Sequence, residues 1–184
     1  MRTSPVQLVH LTFERVCVEV DRRHFPAAAA EGKALTTSLL GVALNTVVEF
    51  ARLNGATESS STELFRVSIE LKVDNETAAG EETSKYSPYL VKMLAVGIVE
   101  IPHAASELAP IEDLALVNGA SLVWSSMREQ LATVTGRMPL GSVQLPSVHF
   151  QDLRSDAPKK VKQLPDAPAT ASKKMRATKT AATK

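Results

Sequence analysis

The residues that could carry acid-base, nucleophilic or metal chemistry are few in this sequence and widely spaced. The four histidines are His10, His24, His103 and His149, and none has a second ligand or an orienting carboxylate at the spacing of a metal or general-base site. Cys17 is the only cysteine, which excludes an intramolecular disulfide and a multi-thiolate metal site. We therefore expect no catalytic residue, no metal and no cofactor, and we expect a protein that is not an enzyme.

Two other reactive groups have simpler interpretations than catalysis. Cys17 lies in an apolar run and is expected to be a small buried hydrophobe, because no activating base is signalled near it. The pair Glu81-Glu82 follows Gly80 in a polar stretch, where solvated side chains at a hairpin tip are the ordinary arrangement. The sequence has no Gly-rich phosphate loop.

The composition is that of one globular domain followed by a different kind of segment. With 184 residues and 44% hydrophobic content, the chain can bury one core. Residues 1–156 carry 13 Lys and Arg against 19 Asp and Glu, whereas residues 157–184 carry eight against one. The second segment is rich in Ala, Lys, Pro and Thr and has no aromatic residue, which predicts a disordered basic tail after a domain that ends near residue 156.

Cysteine usage and hydropathy indicate the compartment. A single cysteine favours a reducing, cytoplasmic environment. The first twenty residues carry four charges and are not expected to act as a signal peptide. No uncharged apolar run approaches the roughly 20 residues that a membrane helix needs, so we expect no membrane insertion.

Four segments have the pattern of strands: residues 6–20, 39–53, 64–73 and 89–101. In the first, the apolar phase shifts near Glu14, which predicts a bulge. The second is apolar on both faces, which favours a central position or an oligomer contact. Gly97 in the fourth indicates a bulge or a close backbone approach. Polar loops are predicted at residues 54–62 and 75–88.

An amphipathic helix of about four turns is predicted to start at Asn118. Asn118 is the expected N-cap, Gly136 is expected to end the helix in a left-handed conformation, and a separate short helix is predicted at residues 110–116. Residues at three- and four-residue spacing form one apolar stripe. The stripe consists of Ala120, Val123, Trp124, Met127, Leu131 and Val134.

After this helix comes an apolar segment, residues 138–148, that we call the connector. Its sequence, MPLGSVQLPSV, contains Pro139, Gly141 and Pro146. Pro146 excludes a central strand and biases Leu145 toward an extended conformation. An extended apolar segment that is exposed to water is energetically unfavourable unless it packs over the core or binds another molecule.

The end of the helix and the connector together resemble the bacterial export chaperone SecB. The similarity lies in the order of a helix with a basic residue, a Pro-containing apolar connector and a following Phe. It is carried by Arg128-Glu129, Gly136-Arg137, Leu140, Val143, Leu145, Pro146, Val148, Phe150 and Leu153. The resemblance implies an α+β fold, with a four-stranded antiparallel sheet and a long and a short C-terminal helix on one face. It also implies a homotetramer built as a dimer of dimers that binds unfolded or nascent polypeptides without ATP.

The resemblance also implies roles for individual residues. The client-binding groove would use Leu140, Val143, Leu145, Val148 and Phe150. The helix stripe, with Val123, Trp124, Met127 and Leu131, would pack on the sheet or form the tetramer contact. The face that docks the translocase motor SecA would include Arg15, Glu19 and Lys92.

Several alternatives stay open at this point. SecB docking is thought to use acidic residues, and Arg15 and Lys92 have the opposite charge, which favours a specialised chaperone that protects an antitoxin in a toxin-antitoxin system. For the connector, two other interpretations are that it simply covers the core and that it docks one folded partner as an adaptor. The basic tail could bind a polyanion weakly, or it could act as a solubilising or charge-screening segment beside the acidic domain.

Overall fold

A mixed α+β architecture is present in the computed structural model, which describes residues 4–23, 38–53, 61–75 and 87–154. Single 3-10 turns lie at His103–Glu107 and Gln151–Leu153. None of the helices in these ranges combines the length and the apolar character needed to span a bilayer. The strands and the helix are β1 (Gln7–Val20), β2 (Leu44–Arg52), β3 (Thr62–Val73), β4 (Tyr89–Pro102) and α1 (Ile111–Thr135).

Several predictions concern residues that the structure does not describe. Nearly all of the two polar loops, including Glu81 and Glu82, lies outside the described residues, and so does the basic tail. At the predicted start of the short C-terminal helix there is one 3-10 turn, Gln151–Leu153, and the described chain ends at Arg154. The short helix and the disorder of the tail therefore stay predictions.

The four strands form one antiparallel sheet in the order β1-β4-β3-β2. The predicted four-stranded antiparallel sheet is confirmed. Of the two roles predicted for β2, the central position is wrong because β2 lies at an edge of the described sheet, and the oligomer contact stays a prediction. The apolar residues of β2 divide between two environments. Phe50 stacks on Phe65 with ring centroids 5.3 Å apart, whereas Val47, on the other face, is 57% exposed.

β2 also starts later than its apolar pattern predicts. Leu39 is fully buried, and its backbone N–H donates to the carbonyl of Gln144 at 2.9 Å. Gly41 follows with φ of 84°, a left-handed conformation that favours glycine. The chain therefore turns before it enters the strand at Leu44.

One face of the sheet carries the core and the other is not covered by the helix. In β3 the residues Phe65, Val67, Ile69, Leu71 and Val73 are all buried, as their alternation predicts. The strand register places β4 residues such as Met93 on this same face. The core therefore lies between this face and α1.

β1 is irregular in the manner that its sequence predicts. Its pairing with β4 shifts register between Leu8 and His10 and again between Phe13 and Arg15, so Glu14 is a bulged residue. Cys17 pairs with Lys92 on the uncovered face and is exposed. The prediction that Cys17 is buried is therefore wrong, because its apolar neighbours Val16 and Val18 point to the opposite face.

The two predicted helices are one continuous helix of 25 residues. It begins after Pro110, and Asn118 lies inside it, where its Nδ2 donates to the carbonyl of Leu114 at 2.9 Å. Asn118 is therefore not an N-cap. Gly136 follows the helix but has φ of −60°, so the predicted left-handed ending is wrong.

Five of the six predicted stripe residues of α1 are buried, and the sixth, Val134, is half-buried. Ala120, Val123, Met127 and Leu131 are fully buried, and Trp124 is 3% exposed. The close crossing with β4 depends on Gly97. A Cβ at this position would lie 2.6 Å from Cγ2 of Val123, which confirms the predicted close approach.

We predict that Gly97→Ala destabilises the fold. The added methyl group would overlap Val123 and force either the helix or the sheet to shift, which typically costs about 1–3 kcal/mol. Urea unfolding of this variant should give a lower free energy of unfolding than wild type. Ser125→Ala on the exposed side of α1 is the control and should change that free energy by less than about 0.5 kcal/mol. Equal stability of the two variants would contradict the close packing.

Candidate functional site

The connector divides its predicted client-binding residues between the core and the surface. Val143 is 0% exposed and Leu145 is 1% exposed, so both side chains pack inside the domain. Leu140 is half-buried against the core, and Val148 is 41% exposed. A client could not contact Val143 or Leu145 without moving the connector. These two residues are therefore corrected to core residues, which agrees with the alternative that this part of the connector covers the core.

Side chains of α1 hold the backbone of the connector in place. The indole Nε1 of Trp124 donates to the carbonyl of Pro146 at 2.9 Å, and Nε of Arg128 donates to the carbonyl of Leu145 at 3.0 Å. These bonds matter because an extended segment outside a sheet has no strand partner for its backbone groups. Arg128 is not part of the apolar stripe, and its guanidinium acts as a structural donor to the connector.

The buried end of α1 makes a third contact of this kind. The hydroxyl of Thr135 donates to the carbonyl of Leu131 at 2.7 Å and accepts from the backbone N–H of Val143 at 3.0 Å. Ser142 Oγ donates to the carbonyl of Ala132 at 3.2 Å. The connector is therefore joined to the last turn of the helix at Ser142 and Val143.

Tyr89, the first residue of β4, fixes the start of the connector. Its hydroxyl donates to the carbonyl of Gly141 at 2.9 Å and accepts from the N–H of Leu140 at 3.1 Å. Burial raises the pKa of Tyr89 above its ordinary value of 10.0, and the bond from Leu140 opposes this shift in part. No sequence pattern singles out this tyrosine, because its partners lie about fifty residues away.

Where the connector ends, an apolar groove opens between α1 and the edge of the sheet. Its volume is about 230 Å³, larger than the roughly 150 Å³ apolar cavity that binds benzene. We call it the Trp124 groove. It is lined by Thr46, Val48, Trp124, Val148, His149, Phe150, Asp152 and Leu153.

The walls of the Trp124 groove combine fixed and accessible apolar groups. Trp124 and Phe150 are buried and meet edge to face, with ring centroids 6.2 Å apart and planes at 72°. Val148 and Leu153 are 41% and 39% exposed. The aromatic pair thus forms a rigid floor, and the two aliphatic side chains provide contact area to a bound molecule.

The Trp124 groove runs beside an open strand edge. Within the described ranges, β2 pairs with β3 on one side and with no strand on the other. Thr46 and Val48 contribute to the groove from this strand. An extended peptide at this position could pair its main chain with β2 and place a side chain in the groove.

The predicted partner-docking residues lie together on the uncovered face of the sheet. The register of β1 with β4 places Arg15, Glu19 and Lys92 on the same side, and all three are exposed. Arg15 Nη1 lies 3.4 Å from Glu70 Oε1. This ion pair is solvent-exposed on both sides and contributes little to stability.

The helix residues predicted to pack or to form an oligomer contact are used inside the chain. Val123, Met127 and Leu131 are 0% exposed and belong to the core beneath the sheet. Trp124 belongs to the core and also lines the groove. A tetramer contact through this face of α1 would need these side chains to be accessible, so the packing interpretation is the one that the geometry supports.

Two further polar arrangements were not expected from the sequence. A second cavity, of about 310 Å³, lies between the first turns of α1 and the end of the described chain, where Arg154 Nε is 4.0 Å from the buried carboxylate of Asp113. At the β2-β3 end of the sheet, Glu63 Oε1 lies 2.9 Å from Nη2 of Arg52 and 3.2 Å from Nδ1 of His103. Among the described residues, no group of three His, Cys, Asp or Glu is placed to hold a metal ion.

Comparisons with known proteins find a similar solved structure but no family or curated match. No family model matches it, and no curated protein matches it. Among solved structures, it is similar to one described as the crystal structure of a protein of unknown function from Streptococcus agalactiae, with a TM-score of 0.48 and 12% identity over 77% of this chain and 97% of that chain. A similarity with this TM-score and identity supports no conclusion about the fold or the function.

We predict that Tyr89→Phe loosens the connector. The change leaves the N–H of Leu140 and the carbonyl of Gly141 without their partner and should lower the free energy of unfolding by about 1–2 kcal/mol. Amide exchange at Leu140 should accelerate, which is the local measurement. Unchanged exchange at that amide would contradict the role given to the hydroxyl.

The ionisation of Tyr89 provides a second test. Because its folded pKa is raised, its contribution to stability is complete below pH 10 and is lost as the pH rises through the folded pKa. Tyr86 is the only other tyrosine, so the Tyr86→Phe chain reports Tyr89 alone in a tyrosinate absorbance titration. The midpoint should lie above 10.0 in the folded protein and return to about 10 in denaturant.

Proposed function

We propose that this protein is a SecB-like, ATP-independent chaperone that binds non-native polypeptide in the Trp124 groove. The observation that supports this proposal is the position of an apolar groove, floored by Trp124 and Phe150, beside the edge of β2 that has no strand partner among the described residues. A strand edge accepts the main chain of any extended segment, and the groove accepts an apolar side chain. Folded proteins bury most of their long extended apolar stretches, whereas a non-native chain exposes them.

Binding at one such groove is expected to be weak and permissive. Burial of apolar area contributes roughly 25 cal/mol per Å², so a few hundred Å² gives several kcal/mol before the client's ordering cost is subtracted. Main-chain pairing adds little preference for sequence. We propose that assembly of the chain as a dimer of dimers supplies the remaining affinity, because a long unfolded client could then engage several grooves at once.

The cellular use that we propose is the protection of non-native clients in the cytoplasm, either preproteins or an antitoxin. The exposed face with Arg15, Glu19 and Lys92 supports the antitoxin alternative, because two of its three charges are basic where SecA docking is thought to use acidic residues. Arg15 is already engaged by Glu70 at 3.4 Å. A SecA pull-down that retains the protein would favour export instead.

The test of chaperone function is the aggregation of a chemically unfolded client protein. The full chain should slow aggregation in the absence of ATP, and a labelled unfolded peptide should bind with measurable affinity. Val148→Ser combined with Leu153→Ser should weaken peptide binding about tenfold, equivalent to about 1.4 kcal/mol, because both side chains line the groove and are partly exposed. Leu145 is left intact because its replacement would open the core.

A matched control separates the groove from general surface hydrophobicity. Val9→Ser combined with Leu40→Ser removes two aliphatic side chains that are 51% and 62% exposed and do not line the groove. This variant should bind the peptide as wild type does. The proposal fails if the full chain leaves aggregation unchanged, or if both double variants lose affinity equally.

A further inference from the structure

The wall of the Trp124 groove leads directly into the basic tail. Asp152 and Leu153 line the groove, and Arg154 is the last described residue. Thirty residues of sequence follow it, residues 155–184. A segment that begins five residues beyond Arg154 is within about 17 Å of it even when the intervening chain is fully extended. Residues soon after 154 are therefore close enough to enter the groove of the same chain.

The beginning of the tail has the composition of a peptide that fits this groove. Residues 159–165 read KKVKQLP. Val161 and Leu164 are two of the three large apolar side chains among residues 155–184, and the third is Met175. The remainder of the tail is Ala, Thr, Lys and other small or polar residues. The apolar side chains of the tail are thus concentrated near the groove.

The charges of the two partners are complementary. Lys159, Lys160 and Lys162 flank Val161, and Asp152 lies in the groove wall. Residues 1–156 carry 13 basic against 19 acidic side chains, so the domain as a whole attracts a basic segment. Attraction of this kind is exposed to solvent and is screened by salt.

We propose that residues 159–165 occupy the Trp124 groove of their own chain when no client is bound. Val161 or Leu164 fills the apolar space beside Trp124 and Phe150, and the lysines face Asp152 and the acidic domain. The tail is then a tethered competitor that a client must displace. The docking of the tail stands on the groove and the sequence alone, whereas the competition with a client rests on the function proposed above.

A weak contact can still be occupied for much of the time because the tail is covalently linked to the domain. A segment joined through a short linker is presented at an effective concentration on the order of millimolar. A contact with a dissociation constant near this value is therefore occupied about half of the time, and a stronger one more often. For the tail to compete, its dissociation constant must be about two- to ninefold below the effective concentration, which gives an occupancy of about 67–90%. Removal of the apolar anchors should then tighten client binding about three- to tenfold, because the site becomes free.

Trp124 provides a direct measurement of this occupancy. It is the only tryptophan of the chain and it lines the groove, so its emission reports the groove without a label. In the full chain, Val161→Ser combined with Leu164→Ser should shift this emission in the absence of any client. Met175→Ser is the matched control and should leave the emission unchanged, because it removes the third large apolar side chain but lies further along the tail.

A synthetic peptide of residues 157–168 tests the contact separately. Added to the Val161→Ser, Leu164→Ser chain, it should restore the wild-type emission, with weaker binding in 0.5 M salt. Dilution of the wild-type chain should leave its emission unchanged if docking is intramolecular. A shift on dilution would show that the tail fills the groove of a second copy and would overturn the inference.

The remaining outcomes distinguish this inference from the proposed function. If neither the double variant nor the peptide changes the emission, the tail does not dock and the inference is wrong, whatever the chain does with clients. If the emission changes but client affinity stays within twofold of wild type, the tail docks without competing and the regulatory part is wrong. If no chain binds the unfolded client while the emission still responds, the proposed function fails and tail docking stands.

Discussion

The groove depends on one constraint, which is that the backbone N–H and C=O groups of the connector must be hydrogen-bonded. The connector is extended and apolar, and apart from the single bridge from Ser38 to Gln144 it has no strand partner within the described ranges. Its carbonyls and amides are paired instead with side chains from elsewhere in the fold. Trp124, Arg128 and Thr135 supply these contacts from α1, and Tyr89 supplies two more from β4. Without them the connector would have no fixed path.

This arrangement gives Trp124 two tasks at once. Its indole N–H fixes the carbonyl of Pro146, and its ring forms the floor of the groove with Phe150. The same side chain therefore positions one wall of the groove and provides part of its apolar surface. A rigid floor beside partly exposed Val148 and Leu153 suits a ligand whose sequence varies, since the fixed part supplies the contact and the accessible aliphatic groups adapt.

Sequence patterns that depend on local geometry predict this structure correctly, whereas features set by contacts between distant parts of the chain are missed or misplaced. Alternation in β3 identifies its buried face correctly because a half-buried strand has a period of two, whatever its neighbours are. The division of α1 into two helices is wrong because Pro110 and Asn118 both resemble helix starts in sequence. Only the unbroken helix from Ile111 to Thr135 shows that it begins after Pro110. Gly97 is correctly singled out, but its contact, Val123, becomes known only from the helix crossing.

By itself, the sequence determined four strands, an apolar helix stripe and an extended connector interrupted by prolines, because periodicity and the geometry of proline are local properties. Only the tertiary structure decided that β2 is an edge, since edge and centre differ in the neighbours of a strand and not in its own pattern. It also decided that Val143 and Leu145 enter the core while Val148 faces the groove. An irregular extended segment has no period from which inside and outside can be read, and the groove is assembled from parts of β2, α1 and the chain after the connector that meet only in the folded protein.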